Sequence, residues 1–135
     1  MKQRIINLLE ILEKISDGQL VGGNTFDYVD KIIEKATINE IIIENELVAF
    51  IAYYDDDIKS KQAFLTMLAV KPEFQNKGYA GKLLEKAISD LEVKNFKYMG
   101  LEVLKTNKEA IAFYTKHGFY VDELRELKYY MKKTI

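Results

Sequence analysis

Apolar residues recur at Ile5, Ile6, Leu9, Leu12 and Ile15, the spacing of one helical face. "SDGQ" follows, and Gly18 is the expected stop for that helix. After the loop "LVGGN", a second stripe runs through Phe26, Val29, Ile32, Ile33 and Ala36, with Asn24 or Thr25 placed to cap its first turn. The period then shortens. "INEIIIENELVAFIAYY" reads as two strands in a tight hairpin around Asn45 and Glu46, and "DDDIKSK" is the turn that leaves it. "QAFLTMLAV" is apolar on both sides, which predicts a central strand. Pro72, the only proline in the chain, has no N–H to give to a ladder and ends that strand. Ala80, Leu83, Leu84, Ala87, Ile88 and Leu91 then mark a helix that begins near Gly78. "YMGLEVLK" is a fourth strand; Asn107 or Thr106 opens a helix carrying Ala110, Ile111, Phe113 and Tyr114 that closes at Gly118. "GFYV" and "LKYYMKK" make a last pair of strands. The expected class is α/β, a mixed sheet with helices on both faces, and residues 1–135 form a single domain.

Composition narrows the chemistry. The formal net charge of −1 gives no global basic field, so nucleic acid is not an expected partner. There is no cysteine, so any thiol in the reaction comes from a ligand, and no metal-ligand spacing is present. No apolar run reaches the length of a membrane span, and "MKQRIINLLEILEKI" lacks the unbroken apolar block of a signal peptide. A soluble cytoplasmic protein is expected.

The loop before the third helix is where chemistry concentrates. The first turn of a helix leaves about four N–H groups without intrahelical partners, and Gly78, Ala80 and Gly81 carry little side chain to block them. Lys77 and Lys82 add positive charge at the end of the helix dipole where cations are disfavoured, a conflict that a bound anion resolves. The loop matches neither of the usual phosphate motifs. Asn76 stands where the triphosphatase loop needs glycine and Leu83 where it needs Ser or Thr, and Gly78 and Gly81 lack the dinucleotide spacing. Read alone, the segment is either an anion site or a solvated turn.

A second block, "LEVLKTNKEAIAFYTKHGF", is by itself a strand, a cap, a helix and a glycine stop. With "VKPEFQNKGYAGKLL" before it, the stretch from Ile41 to Phe119 resembles the GCN5-related N-acetyltransferase superfamily. The resemblance implies a central, mostly antiparallel mixed sheet whose middle strands splay apart, and acetyl-coenzyme A as co-substrate. It implies that the loop Gln75, Asn76, Lys77, Gly78, Tyr79 and Ala80, with Gly81 behind it, wraps the pyrophosphate with backbone amides. The pantetheine arm then lies between "FLTMLAV" and "GLEVL", bonded to the backbone around Leu68, Ala69 and Val70. Asn107 falls on a pantetheine-contacting asparagine, Tyr114 on a general-acid tyrosine, and the Leu68 N–H, freed by a strand bulge, on the oxyanion donor.

The implied reaction is direct acetyl transfer to a primary amine of a small molecule or protein, with coenzyme A leaving as thiolate. The base stays open between Glu102, a water and none, because the strand before the loop offers Phe64 and Thr66 where many relatives carry a carboxylate. His117 reads as a helix-end residue, and Asp55, Asp56 and Asp57 as a charged turn. Family members usually open with a strand, whereas this chain opens with a helix. The partners expected are acetyl-coenzyme A and an unidentified amine, with a homodimer allowed; the competing readings are a non-catalytic acyl-coenzyme A sensor and a nucleotide-binding protein.

Overall fold

The apolar runs after Ala36 form the first two strands, β1 (Thr37–Ile43) and β2 (Glu46–Tyr54), paired antiparallel. The connecting residues are Glu44 and Asn45, at φ 51° and 64°. The turn therefore lies one residue earlier than Asn45–Glu46, because Glu46 already pairs with Ile43. Two residues at positive φ give a two-residue hairpin the twist its strands need, and asparagine tolerates that conformation. The structure, a computed structural model, describes residues 1–16 and 20–135. Gly18 lies outside them; α1 (Lys2–Ile15) ends with the Ser16 N–H bonded to the Leu12 carbonyl at 3.1 Å.

Asn24 caps α2 (Thr25–Lys35), its side chain accepting from the Asp27 N–H at 3.0 Å. Four strands follow the hairpin: β3 (Gln62–Val70), β4 (Tyr98–Leu104), β5 (Tyr120–Leu124) and β6 (Lys128–Thr134). Between them lie α3 (Tyr79–Val93) and α4 (Lys108–Lys116), and a single 3₁₀ turn covers Pro72–Phe74. The sheet order is β1-β2-β3-β4-β6-β5, antiparallel except where β3 meets β4. No helix among the described residues is long and apolar enough to cross a membrane.

Each face of the sheet has its own core. Ile5, Ile6 and Leu9 of α1 and Val29 and Ile32 of α2 pack on Phe50, Ala52, Met67 and Ala69. On the other face, Leu83, Leu84, Ala87 and Leu91 of α3 pack on Ile51, Tyr53, Leu65, Met99 and Leu101. Burial on both faces is why β2 and β3 read as apolar throughout.

One irregularity positions everything that follows. Ala52 pairs with Met67 but Tyr53 pairs with Leu65, so Thr66 is an extra residue on β3. The extra residue inverts the alternation of side chains: Ala63 and Leu65 face the α3 core, whereas Met67 and Ala69 face the α1–α2 core. Parallel pairing with β4 ends at Phe64–Gly100. Past that point β3 and β4 separate, and the middle of the sheet opens into the expected gap.

Candidate active site

The gap exposes a defined set of backbone groups. The Lys71 N–H donates to the Val48 carbonyl at 2.7 Å, which fixes the phase of the β2–β3 ladder. Counting back by twos, Ala69 and Met67 turn their polar groups toward β2. Leu68 and Val70 turn theirs the other way, into the space β4 has vacated. The Val70 carbonyl accepts from Gln75 Nε2 at 3.0 Å. The Leu68 N–H and carbonyl and the Val70 N–H face the gap with no ladder partner. The resemblance attributed the freedom of the Leu68 amide to the bulge itself. Here the bulge sits two residues earlier, and it is the loss of pairing to β4 that leaves the amide free.

The start of α3 supplies donors at one end of the gap. Asn76 and Gly78 both adopt left-handed backbone, at φ 62° and 88°, and Gly78 is the N-cap. The first helical bond runs from the Lys82 N–H to the Gly78 carbonyl at 3.1 Å. Among the described residues, the N–H groups from Asn76 to Gly81 have no partner, and no acidic side chain lies in the first turn. A Cβ on Gly78 would meet nothing within 4 Å, so its positive φ, not crowding, is what calls for glycine. Gly81 differs: a Cβ there would lie 3.5 Å from His117 Cε1, where α3 passes the end of α4. Lys77 and Lys82 hold their ammonium groups 5.6 and 5.9 Å from the ring centres of Phe74 and Tyr79.

Two cavities meet in the split sheet. One, of about 400 Å³, runs from Asn76 and Gly78 past Phe74, Tyr79 and Phe113 to Leu68 and Tyr114. The other, of about 460 Å³, runs from Leu68 and Tyr114 past Thr66 and Glu102 to Ser16, Leu20 and Lys128. Leu68, Asn107, Ala110 and Tyr114 line both. Asn107 Oδ1 caps α4 by accepting from the Ala110 N–H at 3.1 Å, which leaves its Nδ2 donors uncommitted by the cap. Tyr114 packs edge-on to Phe113 and Phe119, with ring centres 5.3 and 5.5 Å away. Its hydroxyl bonds to no described residue, and burial pushes its pKa up to about 12.

Of the residues expected at the site, Leu68, Val70, Gln75, Asn76, Gly78, Tyr79, Ala80, Gly81, Asn107 and Tyr114 line the first cavity. Lys77 stays at its rim over Phe74. The structure does not bring Ala69 there: its side chain is buried in the α1–α2 core and its backbone polar groups turn toward β2. The sequence reading passed over Phe74, Ala110 and Phe113, which wall the cavity; an aromatic left in a polar loop, as Phe74 is, was the available signal. Glu102 lines the second cavity and accepts from Arg125 at 2.7 Å, a bond that is the chief cause of a raised Arg125 pKa. His117 is the C-cap residue of α4, and Asp55 and Asp57 are held by Lys94 and Ser60.

A mixed sheet split beside a donor-rich helix start defines a class of protein that offers free backbone groups to an extended ligand and unpartnered N–H groups to an anion. Residues 23–119 match the model described as the Acetyltransferase (GNAT) family, and the chain belongs to that family. Over 58 residues it is 41% identical to the ribosomal protein bS18-alanine N-acetyltransferase of Salmonella typhimurium, a stretch that covers 43% of this chain and 39% of that protein. The match thus spans about two fifths of the relative's length. Among solved structures, a Pyrococcus horikoshii protein superposes with a TM-score of 0.79 at 22% identity, covering 99% of this chain and 90% of that one. The PaiA N-acetyltransferase of Thermoplasma acidophilum, solved with coenzyme A, superposes at 0.70 and 23% identity over 82% and 69% of the two chains.

Proposed function

We propose that the protein is an acetyl-coenzyme A-dependent N-acetyltransferase that passes the acetyl group directly to a primary amine. The observation that carries this reading is the meeting of the two cavities at Leu68 and Tyr114, with the bare start of α3 at the far end of one of them. The residues fit coenzyme A chemically. The N–H groups from Asn76 to Gly81 suit a pyrophosphate, and the free polar groups of Leu68 and Val70 suit the amides of an arm that takes the place of a missing strand. Bound acetyl-coenzyme A supplies the activated acyl group.

The protein's own groups then divide the work. The Leu68 N–H is the donor for the carbonyl oxygen as it gains charge. Glu102, the one acidic side chain among the described residues of the second cavity, attracts an ammonium and takes its proton directly or through water. Tyr114 donates a hydrogen bond to the departing sulfur. With its pKa at about 12, complete transfer to a thiolate of pKa ~8.5 would be uphill by about 5 kcal/mol, so the phenol shares its proton without surrendering it.

The name of the Salmonella relative makes an alanine amine on a protein the first acceptor to try. Titration calorimetry with acetyl-coenzyme A and with ATP comes first, followed by release of free thiol across small amines and peptides that begin with alanine. Acetyl-coenzyme A should bind in preference, more weakly as salt rises, and an accepting amine should release thiol in proportion to acetylated product. Binding without release from any amine would reduce the protein to an acyl-coenzyme A sensor, and preference for ATP would overturn the cofactor assignment.

A further inference from the structure

Thr66 is the residue that the β2–β3 ladder leaves over, and Tyr28 of α2 reaches it from 38 positions earlier in the chain. Tyr28 Oη lies 2.7 Å from Thr66 Oγ1 and 3.2 Å from the Thr66 carbonyl oxygen. Each hydroxyl owns one proton. Both contacts are therefore satisfied together only when Thr66 Oγ1–H donates to Tyr28 Oη and Tyr28 Oη–H donates to the carbonyl. The closed ring forms only while Thr66 is the extra residue. A bulge that migrated along β3 toward Val70 would change which residues face β2, and with it the direction of the Leu68 and Val70 amides. Burial raises the Tyr28 pKa to about 12, so the phenol remains a donor throughout the working pH range. Tyr54, whose hydroxyl is buried without a partner among the described residues, is near enough to interact with both Thr66 and Tyr28 and is a substitute donor.

We propose, resting on the transferase reading, that Tyr28 is a positioning residue: it clamps the bulge of β3 and so keeps the Leu68 and Val70 N–H groups aimed into the gap. Tyr28 lines neither cavity. It acts through Thr66, which lines the acceptor-side cavity, on Leu68, which lines both.

The test compares the wild-type protein with Tyr28→Phe, Tyr28→Phe/Tyr54→Phe and Val29→Ala. Val29 is fully buried on the same helix, so its truncation weakens the packing of α2 without touching the clamp. Amide NMR of the free protein reads the clamp directly: the Leu68 and Val70 resonances should move in Tyr28→Phe, more in the double variant, and stay in place in Val29→Ala. With acetyl-coenzyme A and an accepting amine, Tyr28→Phe should lose about 10- to 100-fold in kcat and also bind the cofactor more weakly, because the Leu68 and Val70 amides meet both the reacting carbonyl and the arm. Val29→Ala should lower Tm and leave kcat unchanged. If the double variant does not fold, Thr66→Val removes the ring from its other side and should move the same two resonances. Unmoved Leu68 and Val70 resonances in folded Tyr28→Phe and Thr66→Val proteins overturn the clamp whether or not any amine is acetylated, and a kcat loss shared equally by Val29→Ala reduces Tyr28 to a packing residue. A wild-type protein that binds no acetyl-coenzyme A overturns the transferase reading instead, and the resonances then decide the clamp alone.

Discussion

In the role proposed for Tyr114, a phenol has to keep its proton until charge develops on sulfur, and the surroundings of Tyr114 suit that: its ring lies among Phe113 and Phe119, and burial pushes its pKa up to about 12. Hydrogen bonds to a charged partner contribute about 1.5–3 kcal/mol, so Tyr114→Phe should lower kcat by roughly 10- to 100-fold. Acetyl-coenzyme A affinity should change little, because the bond strengthens only as the sulfur becomes anionic. The pH–rate profiles of wild type and Tyr114→Phe should run parallel up to about pH 10, since phenol ionisation lies above that range. A wild-type decline near pH 9 that disappears in the variant would show the proton leaving far more easily than burial allows. Tyr114 was singled out only through the family resemblance carried by "NKEAIAFYTKHGF", and the structure places it in the cavity wall. Tyr28 was not, because it sits between the apolar positions Phe26 and Val29, and nothing within twenty residues of it encodes a meeting with Thr66. Ala69 misled for the opposite reason. Its neighbours Leu68 and Val70 belong to the gap, and alternation along a strand sends the residue between them to the other side.

At the scale of elements, α4 begins with a residue whose cap is observed and whose contact with the cofactor is proposed, and one atom of its side chain can be changed without the other. Asn107→Asp preserves the oxygen that accepts from the Ala110 N–H and places negative charge at the positive end of the helix dipole. Thermal stability should therefore be equal or slightly higher. The same change removes the Nδ2 donors from the wall shared by both cavities, and acetyl-coenzyme A affinity should fall by about tenfold, the worth of one lost hydrogen bond. Melting curves and calorimetry on one preparation separate the two effects; unchanged affinity would leave Asn107 as a helix cap and nothing more. Element boundaries were readable where single residues dictate backbone: Pro72 ends β3, Gly78 opens α3, and Gly118 at φ 92° closes α4. The split between β3 and β4 was expected only through the family resemblance. A strand buried on both faces carries no alternation of polarity, so "QAFLTMLAV" contains no local mark that Thr66 is the extra residue.

For the whole molecule, the sheet carries two cores, and three tyrosines bound into the folded structure make alkaline pH its natural stress. Tyr53 is 1% exposed, and burial, with Asp90 and Asp55 adding negative charge nearby, raises its pKa to about 12; Tyr28 and Tyr114 are raised to about 12 by burial alone or chiefly so. The sign follows from proton counts. In the unfolded chain a tyrosine gives up its proton near pH 10, whereas in the folded chain these three hold theirs, so between pH 10 and 12 the folded state binds more protons and unfolding releases them. The stability that depends on neutral phenols is complete below pH 10 and is lost as pH rises through 12. For Tyr53 alone the loss approaches about 2–3 kcal/mol, against a total of roughly 5–15 kcal/mol for a domain of this kind. Unfolding should therefore be cooperative within that window, and the last tyrosinate absorbance should appear together with the loss of far-ultraviolet circular dichroism. Lysines deprotonate in the same range, so Tyr53→Phe is the variant that isolates the effect: if it folds, its alkaline midpoint should lie higher than the wild-type midpoint even if its stability at pH 7 is slightly lower. A smooth titration of every tyrosine near pH 10, with the dichroism intact, would mean that the β2 core admits water around Tyr53 and does not hold its phenol neutral.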